Sequence, residues 1–87
     1  MANKKIILVI DDDPDILDSI KAILSANGFD VVTAMSGKEG IDAVASSKPD
    51  LILCDMMMER IDAGTKVAQE IKKSNPSIPI YLLSSIG

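Results

Sequence analysis

The chain has no histidine and no tryptophan. Without histidine it cannot be a phosphohistidine carrier, a His-ligated zinc centre or a His-based triad enzyme. Cys54 is the only cysteine. That rules out an internal disulfide framework and any Cys-x-x-Cys metal or redox site, and it suits a reducing compartment. Phe29 and Tyr81 are the only aromatic residues, so the core must be aliphatic. Basic residues are also outnumbered, and the net charge is −4. With no basic stripe and no stacking platform, this chain alone is not expected to bind nucleic acid. No hydrophobic run approaches the length of a bilayer span. The run Ile6–Ile10 follows Lys4 and Lys5, but Asp11 ends it too early for a secretory signal. The expected location is the cytoplasm, with no membrane partner.

What the sequence does contain is aliphatic and acidic. Hydrophobic residues make up 47% of the 87 positions, enough for one packed domain, residues 1–87, and too many for a disordered tail. Four short apolar runs stand out: Ile6–Ile10, Val31–Ala34, Leu51–Cys54 and Ile80–Leu83. They are continuous rather than alternating, as in strands covered on both faces of a parallel sheet. Pro79 opens the last run, where a strand tolerates proline.

Helical patterns lie between the runs. In the first, Ile16, Ile20, Ile23 and Leu24 are expected to share the inner face. Asp13-Pro14 supplies an N-cap and first turn, and Asn27-Gly28 a stop. The second starts at Ser36, with Glu39 three residues on as in a capping box, and ends at Lys48-Pro49. Its expected inner face is Ile41, Val44 and Ala45. The third starts near Asp62, groups Val67, Ala68 and Ile71, and ends at Asn75-Pro76. The order β-α-β-α-β-α-β predicts an α/β fold with a parallel sheet and right-handed crossovers.

In such a sheet, ligands bind beyond the carboxyl ends of the strands, where strand order reverses. Asp11, Asp12 and Asp13 follow the first strand, Asp55 the third, and Ser84-Ser85 the fourth. If the first and third strands are neighbours, their acids meet in one mouth. A hard divalent cation would relieve the repulsion among them, and Mg2+ needs only one or two carboxylates beside a phosphate. Asp55 could then act as a nucleophile toward phosphorus, since carboxylates form aspartyl phosphates. A hydroxyl at Ser84 could hydrogen-bond the attached phosphoryl group.

Three segments in order carry a family resemblance: Ile7 to Asp15, Pro49 to Met58, and Ile78 to Ser85. Together they resemble the receiver domain of two-component response regulators, and the resemblance covers the whole chain. It implies a flavodoxin-like doubly wound sheet with strand order 2-1-3-4. It implies Asp55 as phosphoacceptor, and Asp11 and Asp12 as the acidic pair that holds Mg2+, with Asp12 the direct ligand. It further implies the Met57 backbone carbonyl as another metal ligand and Ser84 as the phosphate-sensing hydroxyl. The donor it implies is a sensor histidine kinase or phosphotransfer protein, and the chain would be a switch rather than a conventional enzyme.

The sequence departs from the family pattern in two places. The loop after Asp55 has Glu59 where the family has proline, and its glycine, Gly64, comes one residue late. The family also continues into a fourth helix, a fifth strand that ends in a phosphate-contacting lysine, and a fifth helix. The sequence given stops at Gly87, before these elements. A chain of this extent would leave part of one sheet face bare, which predicts a homodimer or domain-swapped oligomer. Loss of the lysine makes a phosphate-independent interaction module the alternative function.

Other readings fit less well. Asp13 reads as a helix cap, and Asp15 and Asp18 as acids favoured by the helix dipole. A calcium loop would need glycine at Ile16 and glutamate at Ala22. A phosphohydrolase of the haloacid-dehalogenase type would place its nucleophile in Asp11-Asp12-Asp13 and leave Asp55 unexplained. A flavodoxin would need a Ser/Thr-rich loop after the first strand. Cys54 reads as a small buried apolar residue.

Overall fold

In the computed structural model the described residues are 4–55 and 63–83, and the side chains of residues 55, 63–68, 82 and 83 lie outside that description. The elements run β1 (Ile6–Ile10), α1 (Pro14–Ala26), β2 (Asp30–Ala34), α2 (Gly37–Ser47), β3 (Leu51–Asp55), α3 (Ala63–Ser74) and β4 (Ile80–Leu83). All strand pairs are parallel, in the order β2-β1-β3-β4. This is the predicted α/β sheet, and order reverses between β1 and β3.

The alternation of strand side chains divides the core in two. Leu8, Ile10, Ala34, Ile52 and Cys54 face Val44 of α2 and Ile71 of α3. Ile7 and Val9 face Leu17 of α1, with Ile20, Leu24, Phe29, Val31, Leu51 and Leu53 packed around them. Leu8, Val9, Ile10, Ile52 and Cys54 are fully buried, so the central strands are covered on both faces, as continuous apolar runs require. No described helix is long and apolar enough to cross a membrane.

Helix ends are set by local chemistry. The Asp13 carboxylate accepts the Asp15 amide at 2.9 Å, and Pro14 occupies the first turn, where its missing N–H costs nothing. α1 ends in a Schellman motif: the Phe29 amide reaches Leu24 O and the Gly28 amide Ser25 O, both at 3.1 Å. Gly28 has φ +89°, which glycine adopts without a Cβ penalty. At α2, Ser36 Oγ accepts the Glu39 amide at 3.2 Å, the N-cap half of the predicted capping box. Its C-cap is Lys48, left-handed at φ 49°.

The inner faces of two helices differ from expectation. In α1 the inward residues are Leu17, Ile20 and Leu24, while Ile16 is 43% and Ile23 62% exposed. The helix lies over β1 and β2, so its core-facing stripe centres on Leu17 and Leu24, and the two isoleucines turn to one side. In α2 the inward residues are Gly40 and Val44, with Ala43 beside them, and Ile41 and Ala45 are exposed. Gly40 is the reason. Without a side chain it lets the helix approach Ile10 so closely that an added Cβ would fall 2.9 Å from Ile10 Cγ1 and nearer still to Cδ1. That approach turns Ile41 outward.

Candidate functional site

β1 and β3 pair from Ile7↔Leu51 to Ile10↔Cys54. The next residues are Asp11 and Asp55, so adjacent strands deliver one acid each to the same end of the sheet. On the far side of β3, Asp55 pairs with Leu83 of β4. The residue after Leu83 is Ser84.

Asp11 is 5% exposed, the one buried polar or charged residue among those described. Its placement follows from the sheet. Its amide donates to Ala34 O of β2 at 3.0 Å, which extends the ladder by one residue, and its Oδ1 accepts the Asp13 amide at 2.9 Å. The second bond is an Asx turn that folds the chain from β1 into the cap of α1. Asp12, between them, is exposed. One acid is therefore held by the fold and its neighbour faces water.

The described part of this mouth offers only oxygen donors of the hard, acidic kind that magnesium takes. Among the described residues, no group of three His, Cys, Asp or Glu side chains is arranged to hold a metal. The Asp55 carboxylate, Met57 and Ser84 lie outside the described residues, as does Asp62 at the expected start of the third helix. The structure thus brings together Asp11, Asp12 and the backbone of Asp55.

Gly40 was not picked out from sequence, though a glycine inside an otherwise regular helical pattern is itself a signal of close approach. It packs against the last residue of β1, directly before Asp11. α2 therefore packs closely behind the residue that leads into the buried acid.

Comparison with known proteins agrees with this geometry. A model of the response regulator receiver domain matches residues 7–87. The response regulator MprA of Mycolicibacterium vanbaalenii is 38% identical over 79 residues, which cover 91% of this chain and 34% of that protein. The chain thus spans about a third of the length of the curated relatives it matches. A CheY-like receiver domain protein from Methanospirillum hungatei superposes with a TM-score of 0.89 at 29% identity, over 98% of this chain and 67% of that one. TrrA of Thermotoga maritima, solved in complex with Mg2+–BeF, superposes with a TM-score of 0.86 at 36% identity, over 95% of this chain and 71% of that one.

Proposed function

Because the chain belongs to the response regulator receiver domain family, we propose that it is a phosphoacceptor switch in which Asp55 takes a phosphoryl group from a phosphohistidine donor. The observation that carries this reading is the in-register pairing of β1 with β3, after which Asp11 and Asp55 come next on adjacent strands. The donor is a sensor histidine kinase or a phosphotransfer protein, and the reaction takes place in the cytoplasm.

In the proposed step a carboxylate oxygen of Asp55 attacks phosphorus. The phosphorus–nitrogen bond to the donor imidazole, which is protonated on its other ring nitrogen, breaks, and the imidazole leaves with the bonding pair. The product is an acyl phosphate on this chain and a neutral histidine on the donor. Asp11, Asp12, Asp55 and the Met57 carbonyl would hold Mg2+, which when bound supplies positive charge for the equatorial phosphoryl oxygens. The acidic oxygen donors of the mouth and the relative solved with Mg2+–BeF support that assignment. Asp11, buried and bonded by the Asp13 amide, keeps its carboxylate in one place, and the exposed Asp12 would be a direct ligand to the ion. Ser84 donates its hydroxyl to the bound phosphoryl group.

The test is incubation with magnesium and acetyl phosphate, read by intact mass, beside Asp55→Asn. A single phosphoryl adduct that vanishes in the variant supports Asp55 as acceptor. A folded chain that takes no adduct refutes the reading in favour of a phosphate-independent interaction module.

A further inference from the structure

Each of the three asparagines has a different C-terminal neighbour: Asn3 precedes Lys4, Asn27 precedes Gly28 and Asn75 precedes Pro76. An asparagine side chain is attacked most readily by the next backbone nitrogen when the next residue is an unhindered glycine. Proline has no N–H to lose and cannot complete that reaction. Asn27 is exposed, and the space around Gly28 is open, with no atom within 4 Å of where its Cβ would be.

The attacking nitrogen is not idle in the fold. The Gly28 N–H is one of the two donors of the Schellman motif, held by Ser25 O at 3.1 Å. The group it would attack is also engaged, because Asn27 Nδ2 donates to Ile23 O at 2.8 Å. Asn27 has ψ 13°, which sets the Gly28 nitrogen nearly eclipsed with the nitrogen of Asn27 and turned away from its Cβ. Ring closure therefore requires rotation about the Asn27 Cα–C bond, and that rotation breaks the cap.

We infer that Asn27-Gly28 is a site of spontaneous modification gated by the C-terminal turn of α1, so that it reacts only when that turn opens. In the open state the Gly28 nitrogen bonds to Asn27 Cγ. The Cγ–Nδ2 bond breaks, and ammonia leaves with the proton from the glycine nitrogen. Water then adds to one of the two imide carbonyls, and the carbon–nitrogen bond at that carbonyl breaks. The product is aspartate, or isoaspartate with the main chain rerouted through Cβ.

Either product removes the donor to Ile23 O and places a carboxylate where the last carbonyls of α1 already carry partial negative charge. Isoaspartate also lengthens the backbone inside the loop closed by Phe29 N and Leu24 O. The reaction thus converts a transient opening into a permanent one.

The test uses the full chain at mildly alkaline pH in 18O-labelled water, with peptide mapping over time, beside the same chain in urea. The expected result is labelled aspartate and isoaspartate at position 27, none at Asn75, and conversion about tenfold or more slower in the folded chain than in urea. Equal rates in the two would overturn the gate. No conversion at position 27 in either sample, or equal product at Asn75, would overturn the site.

Discussion

Gly40 of α2 lies directly against Ile10 of β1, the fully buried residue that precedes Asp11. A methyl group at position 40 would collide with Ile10, which is fully buried in the same cluster as Ala34, Cys54 and Val44 and so has little room to shift. Gly40→Ala gains helix propensity worth about 0.5–1 kcal/mol, but overpacking a filled core costs about 1–3 kcal/mol. We expect a net loss of roughly 1 kcal/mol in urea unfolding, and a larger one for Gly40→Val.

Asp11 and Asp12 are expected to separate structural from ligand-binding roles. Asp11→Ala removes the acceptor for the Asp13 amide at a buried position, at a cost of about 1–2 kcal/mol. Asp12→Ala changes an exposed side chain and leaves stability within about 0.5 kcal/mol. Both are expected to weaken magnesium binding by calorimetric titration. Unchanged affinity in Asp12→Ala would remove that residue from the metal site.

Lys48 closes α2 in the left-handed region, the one non-glycine residue with positive φ among those described. Lys48→Gly relieves a conformational cost of about 1–2 kcal/mol, while added freedom in the unfolded chain returns about 0.4–1 kcal/mol. The expected outcome is a small rise in melting temperature. Lys48→Ile, branched at Cβ, is expected to lower it.

Lys72 spans the turn between α3 and β4, with Nζ donating to Pro76 O at 3.2 Å and Ile78 O at 3.1 Å. Lys72→Met keeps the stem but loses both bonds, at about 0.5–1.5 kcal/mol for a pair near solvent. Hydrogen exchange should quicken at the Ile78 amide, whose bond to Asn75 O closes the same turn. The amides of β1 should be unaffected.

Strand positions were legible because a buried parallel strand is apolar on both faces, and each run maps to a strand within one residue. The caps at Asp13, Ser36 and Gly28 were legible because they depend on chemistry within a few residues. The helix faces were not. Ile16 and Ile23 fit a helical stripe as well as Leu17 and Leu24 do, and only the placement of α1 over β1 and β2 decides between them. For α2 the deciding residue was one with no side chain, which hydrophobic patterning cannot weigh. At the site, chain order placed the acids at strand ends. The burial of Asp11 goes with its pairing to Ala34 of β2, far along the sequence, whereas its bond from the Asp13 amide is a local turn.

The pairing of β1 with β3 also governs when the acidic mouth can come into existence. Asp50 holds the start of β1 from 44 residues away, its carboxylate accepting the Ile6 amide at 2.9 Å and its own amide donating to Ile6 O at 2.7 Å. Contacts so distant in sequence form only after the intervening chain has closed into a loop, which slows them relative to helix formation. During synthesis from the N-terminus, β1 emerges first and waits for its central partner until α1, β2 and α2 have followed. Asp11 and Asp55 therefore come together late in folding, so a nascent or partly folded chain has no acidic mouth.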